Sequence, residues 1–159
     1  VEDLRVLVFF YIIEGALVGY TGMALIGIRL NLKQTVMVGL LQGLLVYLVR
    51  GIYTINQWPL GTHTVLNLLG LIIILRLVGR RNWGASAVAG LVGFIILILS
   101  ESATFPFILS KLNITIEDIM SNTWLHIVTG YLGDALLILA CLFTAFTGRA
   151  LINIEQLGR

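Results

Sequence analysis

The sequence predicts an all-α, polytopic transmembrane bundle of about five helices, with the N terminus outside and the C terminus inside. Three observations carry that class. Hydrophobic residues make up 58% of the 159 and charged residues 11%, with a mean hydropathy of +1.01, so apolar surface is too abundant to hide in one small water-soluble core. Gly51 to Leu75 and Asn82 to Ser100 carry no charge, while Arg76, Arg80 and Arg81 crowd the gap between them. Lysine and arginine are also shared unevenly between alternate connections, the asymmetry that orients membrane helices.

A bilayer core of roughly 30 Å takes about 20 apolar residues per helix, which divides the chain into about five crossings within one integral membrane domain, residues 1–159. The predicted spans are 4–28, 34–49, 60–78, 83–100 and 124–147. Each is a helix, because the runs are too long for barrel strands, lack strict alternation, and have backbone amides that lipid cannot satisfy. The first follows Glu2 and Asp3, contains Glu14 and outruns a normal signal-peptide core, so it is expected to remain in the mature protein. The second lies between Lys33 and Arg50. The third opens at Pro59-Leu60, where proline suits the first helical position, and ends at the arginine cluster. The fourth is the uncharged run to Ser100. The fifth holds Cys141, the only cysteine, which excludes an intrachain disulfide and a zinc site of paired thiolates.

With the N terminus outside, the inner connections collect Arg29, Lys33, Arg76, Arg80, Arg81, Arg149 and Arg159, against Arg5, Arg50 and Lys111 outside. Trp58 and Trp124 then fall at the outer interface and Trp83 at the inner one. The expected location is the cell membrane, multi-pass. The net charge of +2 reflects these arginines, and no basic stripe with interleaved aromatics suggests a nucleic-acid partner.

Connections are short except for the predicted outer loop 101–123. Pro106 is expected to break or end a helix there, and Thr115-Ile116-Glu117-Asp118 has capping-box spacing for a short amphipathic helix on the outer surface, as a lid or a connector. Asn113-Ile114-Thr115 matches a glycosylation sequon. Small residues four apart, Gly15/Gly19, Gly39/Gly43 and Ala85/Ala89/Gly93, allow close helix approach, within the bundle or in a homodimer.

Glu14 lies ten residues beyond Leu4 and Asp134 ten beyond Trp124, so both carboxylates are expected about 15 Å below the outer boundary. Gln42 and Asn67 bring polar groups to similar depths from two other helices. A charge there costs on the order of 3 kcal/mol even on lenient scales, so these four side chains should face one another, water or a ligand. They are the candidate ligand- or ion-binding residues. The bland alternative is interhelical hydrogen bonding alone. Arg50, His63, Glu101 and His126 form a second, outer-rim candidate site, with a weak Arg50–Glu101 ion pair as its plainest reading. No nucleophile with a base, His-Glu-x-x-His pair, phosphate-cradling loop or cofactor motif is present, so no catalysis, metal site or cofactor is expected.

The segments Gly27-Ile28-Arg29-Leu30-Asn31-Leu32-Lys33-Gln34, Val46-Tyr47-Leu48-Val49-Arg50, Pro59-Leu60-Gly61-Thr62-His63-Thr64 and Ser121-Asn122-Thr123-Trp124-Leu125 occur in an order that resembles the membrane-embedded sensor region of multispan histidine kinases of Gram-positive bacteria, a group that includes quorum-sensing peptide receptors. That resemblance implies a signal-sensing module taking a small or amphiphilic ligand, or sensing ions. The kinase core of that group does not follow Arg159, so a truncated sensor or a stand-alone membrane protein is expected. The alternatives are a small transporter or transporter subunit with Glu14 and Asp134 on its path, and a structural or quinone-associated anchor among other membrane subunits.

Overall fold

The computed structural model describes residues 3–56, 58 and 62–152. Predicted features at Glu2, Pro59, Leu60, Gly61 and Arg159 lie outside the described residues. Every described element is helical: α1 Leu4–Leu25, α2 Leu32–Asn56, α3 Thr62–Val78, α4 Trp83–Leu112, α5 Ile116–Ser121, α6 Thr123–Gly133 and α7 Ala135–Thr147. Three of these, α1, α2 and α4, are long and apolar enough to cross a membrane. The pair α6 and α7, bent by 55° at the break between them, makes a fourth if counted as one span, and α3 is a shorter apolar helix.

Local chemistry sets the ends. α1 stops where Gly27 adopts φ 87°, a left-handed conformation open to glycine, and the Ile28 amide returns to the Met23 carbonyl at 2.9 Å. α2 starts with a reciprocal cap: the Asn31 amide donates to Gln34 Oε1 at 3.0 Å and the Gln34 amide to Asn31 Oδ1 at 2.9 Å. Asn82 caps α4 by accepting from the Ala85 amide at 2.8 Å. The predicted capping box at Thr115 is present and starts α5.

Three helices depart from the predicted bounds. The second helix continues past Val49 to Asn56, so Arg50 sits inside a helix rather than at its mouth. The fourth continues past Ser100 to Leu112, replacing half of the predicted 101–123 loop; Pro106 lies within it without ending it, because a proline removes one main-chain donor and the rest of the ladder still holds. The fifth is broken at Asp134. In the first two cases a single charge marks the predicted end, although a charge with partners inside the bundle leaves the helix free to continue.

Glycine sets how closely the helices approach. A Cβ at Gly39 would lie 2.5 Å from the Ile12 carbonyl oxygen, and one at Gly43 2.7 Å from the Ile12 Cα, so α1 and α2 meet backbone to backbone. Gly22 and Gly93 do the same for α1 against α4, where a Cβ at Gly93 would stand 2.6 Å from the Val18 carbonyl oxygen. The predicted small-residue faces therefore pack within this bundle. The outward faces are apolar: Leu40, Leu44, Leu48 and Ile52 on α2, and Leu91, Ile95, Ile98 and Leu99 on α4, are all exposed, the inverse of a water-facing surface.

Two apolar clusters divide the bundle along its length. The larger joins Val18, Met23, Val38, Leu71, Leu75, Ala89, Phe94 and Leu137 and fills the half nearer the Gly27 turn. The smaller joins Val6, Phe10, Tyr11 and Ile127 at the N-terminal end. A π-helical turn at Leu7–Tyr11 forms this part of α1, and both Phe10 and Tyr11 within it are buried.

Gly93→Ala should lower thermal stability by about 1–3 kcal/mol, since backbone cannot yield to the new methyl. Gly51→Ala, where nothing lies within 4 Å of the added carbon, should hold or raise it. Parallel melting curves in one detergent check both.

Candidate functional site

The two sites expected from the sequence come together as one. Glu14, Gln42, Arg50, His63, Asn67 and Glu101 line a single cavity of about 200 Å³ between the apolar clusters. Glu14, Arg50 and Glu101 also line a second cavity of about 510 Å³, whose other walls include Phe10, Pro106, His126 and, from the short helix α5, Ile116, Ile119 and Met120. Asp134 joins through its carboxylate: one oxygen each of Glu14, Glu101 and Asp134 lie within 4.8 Å of one another. Arg50, an outer-rim candidate on the sequence, is a wall of both cavities, and Glu101 also belongs to the carboxylate cluster.

Each group is delivered by a local feature. Glu14 precedes Gly15, where the approach of α2 places Gln42 against the α1 backbone. Gln42 Nε2 donates to the Asn67 carbonyl at 3.1 Å, tying α2 to α3 beside the cavity. Arg50 donates to Tyr11 Oη at 2.7 Å, its guanidinium carbon 5.3 Å from the centre of that ring, so the π-turn of α1 supplies the arginine's anchor. His63 packs edge-on to Tyr53, and His126 lies against Phe10 and Tyr11. The two histidines belong to different aromatic groups and line different cavities.

Asp134 occupies the break between α6 and α7, and the bond pattern there is unusual. Aspartate at such a position ordinarily caps the following helix with its own carboxylate. Here it makes no cap bond. The Leu136 amide instead donates to Ser100 Oγ at 3.0 Å, while Ser100 Oγ and Thr104 Oγ1 donate to the Gly133 carbonyl at 2.6 and 2.9 Å. Two side chains of α4 thereby satisfy the backbone that the break exposes, as polar side chains must where no water is at hand. Asp134 is fully buried, and neither of its carboxylate oxygens has a hydrogen-bond partner. Gln42 Oε1 and Asn67 Oδ1, both buried, are likewise unpartnered.

The electrostatics are severe. Two unit charges 4.8 Å apart repel by about 3–4 kcal/mol at an effective dielectric of about 20, so three carboxylates at this spacing need a compensating positive charge or a proton. Arg50, which acts on Glu14 and Glu101, supplies one positive charge for three negative ones.

Comparison with protein-family models, with curated proteins and with solved structures finds no match. The site's chemistry must therefore be argued from its own geometry.

The sequence pattern did not reveal the π-turn, the Ser100/Thr104 clamp or the helix break. A faint signal for the break existed in Gly130 and Gly133 flanking an aspartate within an apolar run, since glycine weakens a helix and aspartate favours its start.

Ser100→Ala should destabilise the bundle by about 1–3 kcal/mol, because it strands a buried amide and removes one donor to a buried carbonyl. Thr104→Ala should cost less, since Ser100 still serves Gly133; chemical melts of the two variants separate the effects. Outside the spans, Asp118 caps α5, and the Thr115 amide, then the Thr115 hydroxyl, hold its carboxyl below the usual aspartate range. That contribution is complete above the ordinary aspartate pKa and is lost as pH falls through the depressed value. Hydrogen exchange at residues 116–121 should accelerate over that acidic window, and Asp118→Asn should remove the pH dependence.

Proposed function

We propose that the chain is a five-span module of the cell membrane that admits a ligand or ion from its N-terminal side and reports occupancy through α7, as a signal sensor does. The observation that carries this reading is the placement of the charged cavities at one end of the bundle. Both cavities that hold charged groups lie toward the end that carries the N terminus, the start of α3, the end of α4 and α5, and the close-packed apolar cluster fills the other half. An open channel needs polar access from both faces at once, so this arrangement argues against a continuous pore.

Orientation and span number rest on composition. α3, at 17 residues, spans about 26 Å, close to the hydrocarbon thickness. Arg29, Lys33, Arg76, Arg80, Arg81 and Arg149 gather at one end of the chain's crossings and Arg5 and Lys111 at the other, which supports N-out and C-in once Arg50 is counted inside the bundle. The output end is tied to α1: Arg29 donates to the Thr144 carbonyl at 3.0 Å, and the Leu151 and Ile152 amides both donate to the Leu25 carbonyl. Displacement of Asp134 at the head of α7 therefore reaches these contacts, provided ligand affinity differs between the two arrangements. This is also the role implied by the resemblance to kinase sensor regions.

Cysteines introduced beside Lys111 and Arg81 should label from outside and only from inside, respectively; reversed accessibility overturns the orientation. In proteoliposomes, changes in the outer medium should alter the distance between labels at Gly79 and Thr147 with no solute uptake. Uptake that disappears in Glu14→Gln would establish transport instead.

A further inference from the structure

We propose that Glu14, Glu101 and Asp134 form a binding site for one divalent cation of calcium size; this rests on the pocket reading above and names its ligand. Three independent features converge on it. The first is spacing: the three carboxylate oxygens, from α1, α4 and the α6–α7 break, all lie within 4.8 Å of one another. An ion bound at about 2.4 Å can hold ligands up to about 4.8 Å apart, so the three oxygens fall within the reach of one calcium ion.

The second feature is Asp134 itself. It is fully buried, both of its oxygens lack partners, and the capping duty its position would give it is performed by Ser100. A buried carboxylate held in the cluster by a broken helix, with its usual hydrogen bond assigned to another residue, is arranged to accept something from the pocket. Calcium takes six to eight oxygens. The adjoining cavity of about 200 Å³ has room for several waters, and the buried, unpartnered Gln42 Oε1 and Asn67 Oδ1 are available to hold them.

The third feature is charge. Three carboxylates and Arg50 sum to −2 when all are ionised, and a divalent ion neutralises that sum where a monovalent ion leaves a buried charge. Arg50 is held back by Tyr11 at 2.7 Å, so its charge moderates the site without replacing the cation. Glu101 is the exposed member of the trio and Asp134 the buried one, giving the ion an entry side and an end wall.

The test is equilibrium binding of CaCl₂, with MgCl₂ as the size control, to the full chain in nanodiscs at neutral pH by isothermal calorimetry. The expected result is one saturable calcium site per chain, weaker magnesium binding, and a loss of about tenfold or more in calcium affinity in both Asp134→Asn and Glu101→Gln. Glu117→Gln, an exposed acid on α5, should bind as the parent does. The site is overturned if the folded parent shows no saturable binding up to about millimolar calcium, or if it takes magnesium as tightly. It is also overturned if Asp134→Asn and Glu101→Gln bind unchanged, or if a protonated-carboxyl infrared band lost in Asp134→Asn persists under saturating calcium. The parent's calcium-versus-magnesium comparison decides even if a variant fails to fold. Calcium binding without motion of α7 keeps the site and removes the sensing reading, whereas motion of α7 without calcium binding does the reverse.

Discussion

Hydrocarbon offers no hydrogen-bond partner, and the internal order of this bundle depends on that constraint. Each polar group carried to depth has to be met by another part of the chain. Gln42 reaches the Asn67 carbonyl, Gln34 reaches the Val78 carbonyl, and Ser100 and Thr104 reach the backbone released at the α6–α7 break. Arg50 turns inward to Tyr11. These contacts tie neighbouring helices at specific registers, which apolar packing alone leaves loosely determined. Among the described residues the clearest exception is Asp134, buried and unpartnered beside Glu14 and Glu101. In a medium so intolerant of such groups, that exception marks where binding is expected.

Close packing at glycine and the polar site are parts of one arrangement. Because Gly39 and Gly43 let α2 rest on the α1 backbone at Ile12, Gln42 and Val46 on the same helix are brought to the level of Glu14. Because Gly22 and Gly93 do the same between α1 and α4, the larger apolar cluster forms around their contact. The cavities lined by charged side chains therefore lie at one end of the bundle, and that cluster at the other.

The sequence made the all-helical class and the long apolar helices legible, because long uncharged runs depend on local composition. It also announced the α5 capping box at Thr115 and Asp118 and the small-residue faces at Gly15, Gly39 and Gly93. Arg50 and Glu101 were misplaced because each ends an uncharged run, and a charge at that point reads as a helix terminus. Only the fold shows that both lie within continuing helices and line the same two cavities. For the same reason Glu14 and Asp134 were set apart from the rim residues: depth along each helix is readable from residue counts, but which faces converge depends on packing. The break at Asp134 is hidden in the sequence because the bonds that compensate it span 33 and 29 residues, from Ser100 and Thr104.

The break gives the site its mechanical reach. A continuous helix through Asp134 would hold that carboxylate rigidly within one cylinder, and neutralising it would alter charge with little change in shape. Here Asp134 stands at a 55° bend whose backbone is held by two hydroxyls from a neighbouring helix, so the angle between α6 and α7 is set by side-chain bonds that can be exchanged. α7 runs 13 residues to Thr147, about 20 Å at 1.5 Å per residue, where the Thr144 carbonyl meets Arg29 and the following segment is hydrogen-bonded to the end of α1. The carboxylate cluster and the contacts near Thr144 are thus joined by one short helix.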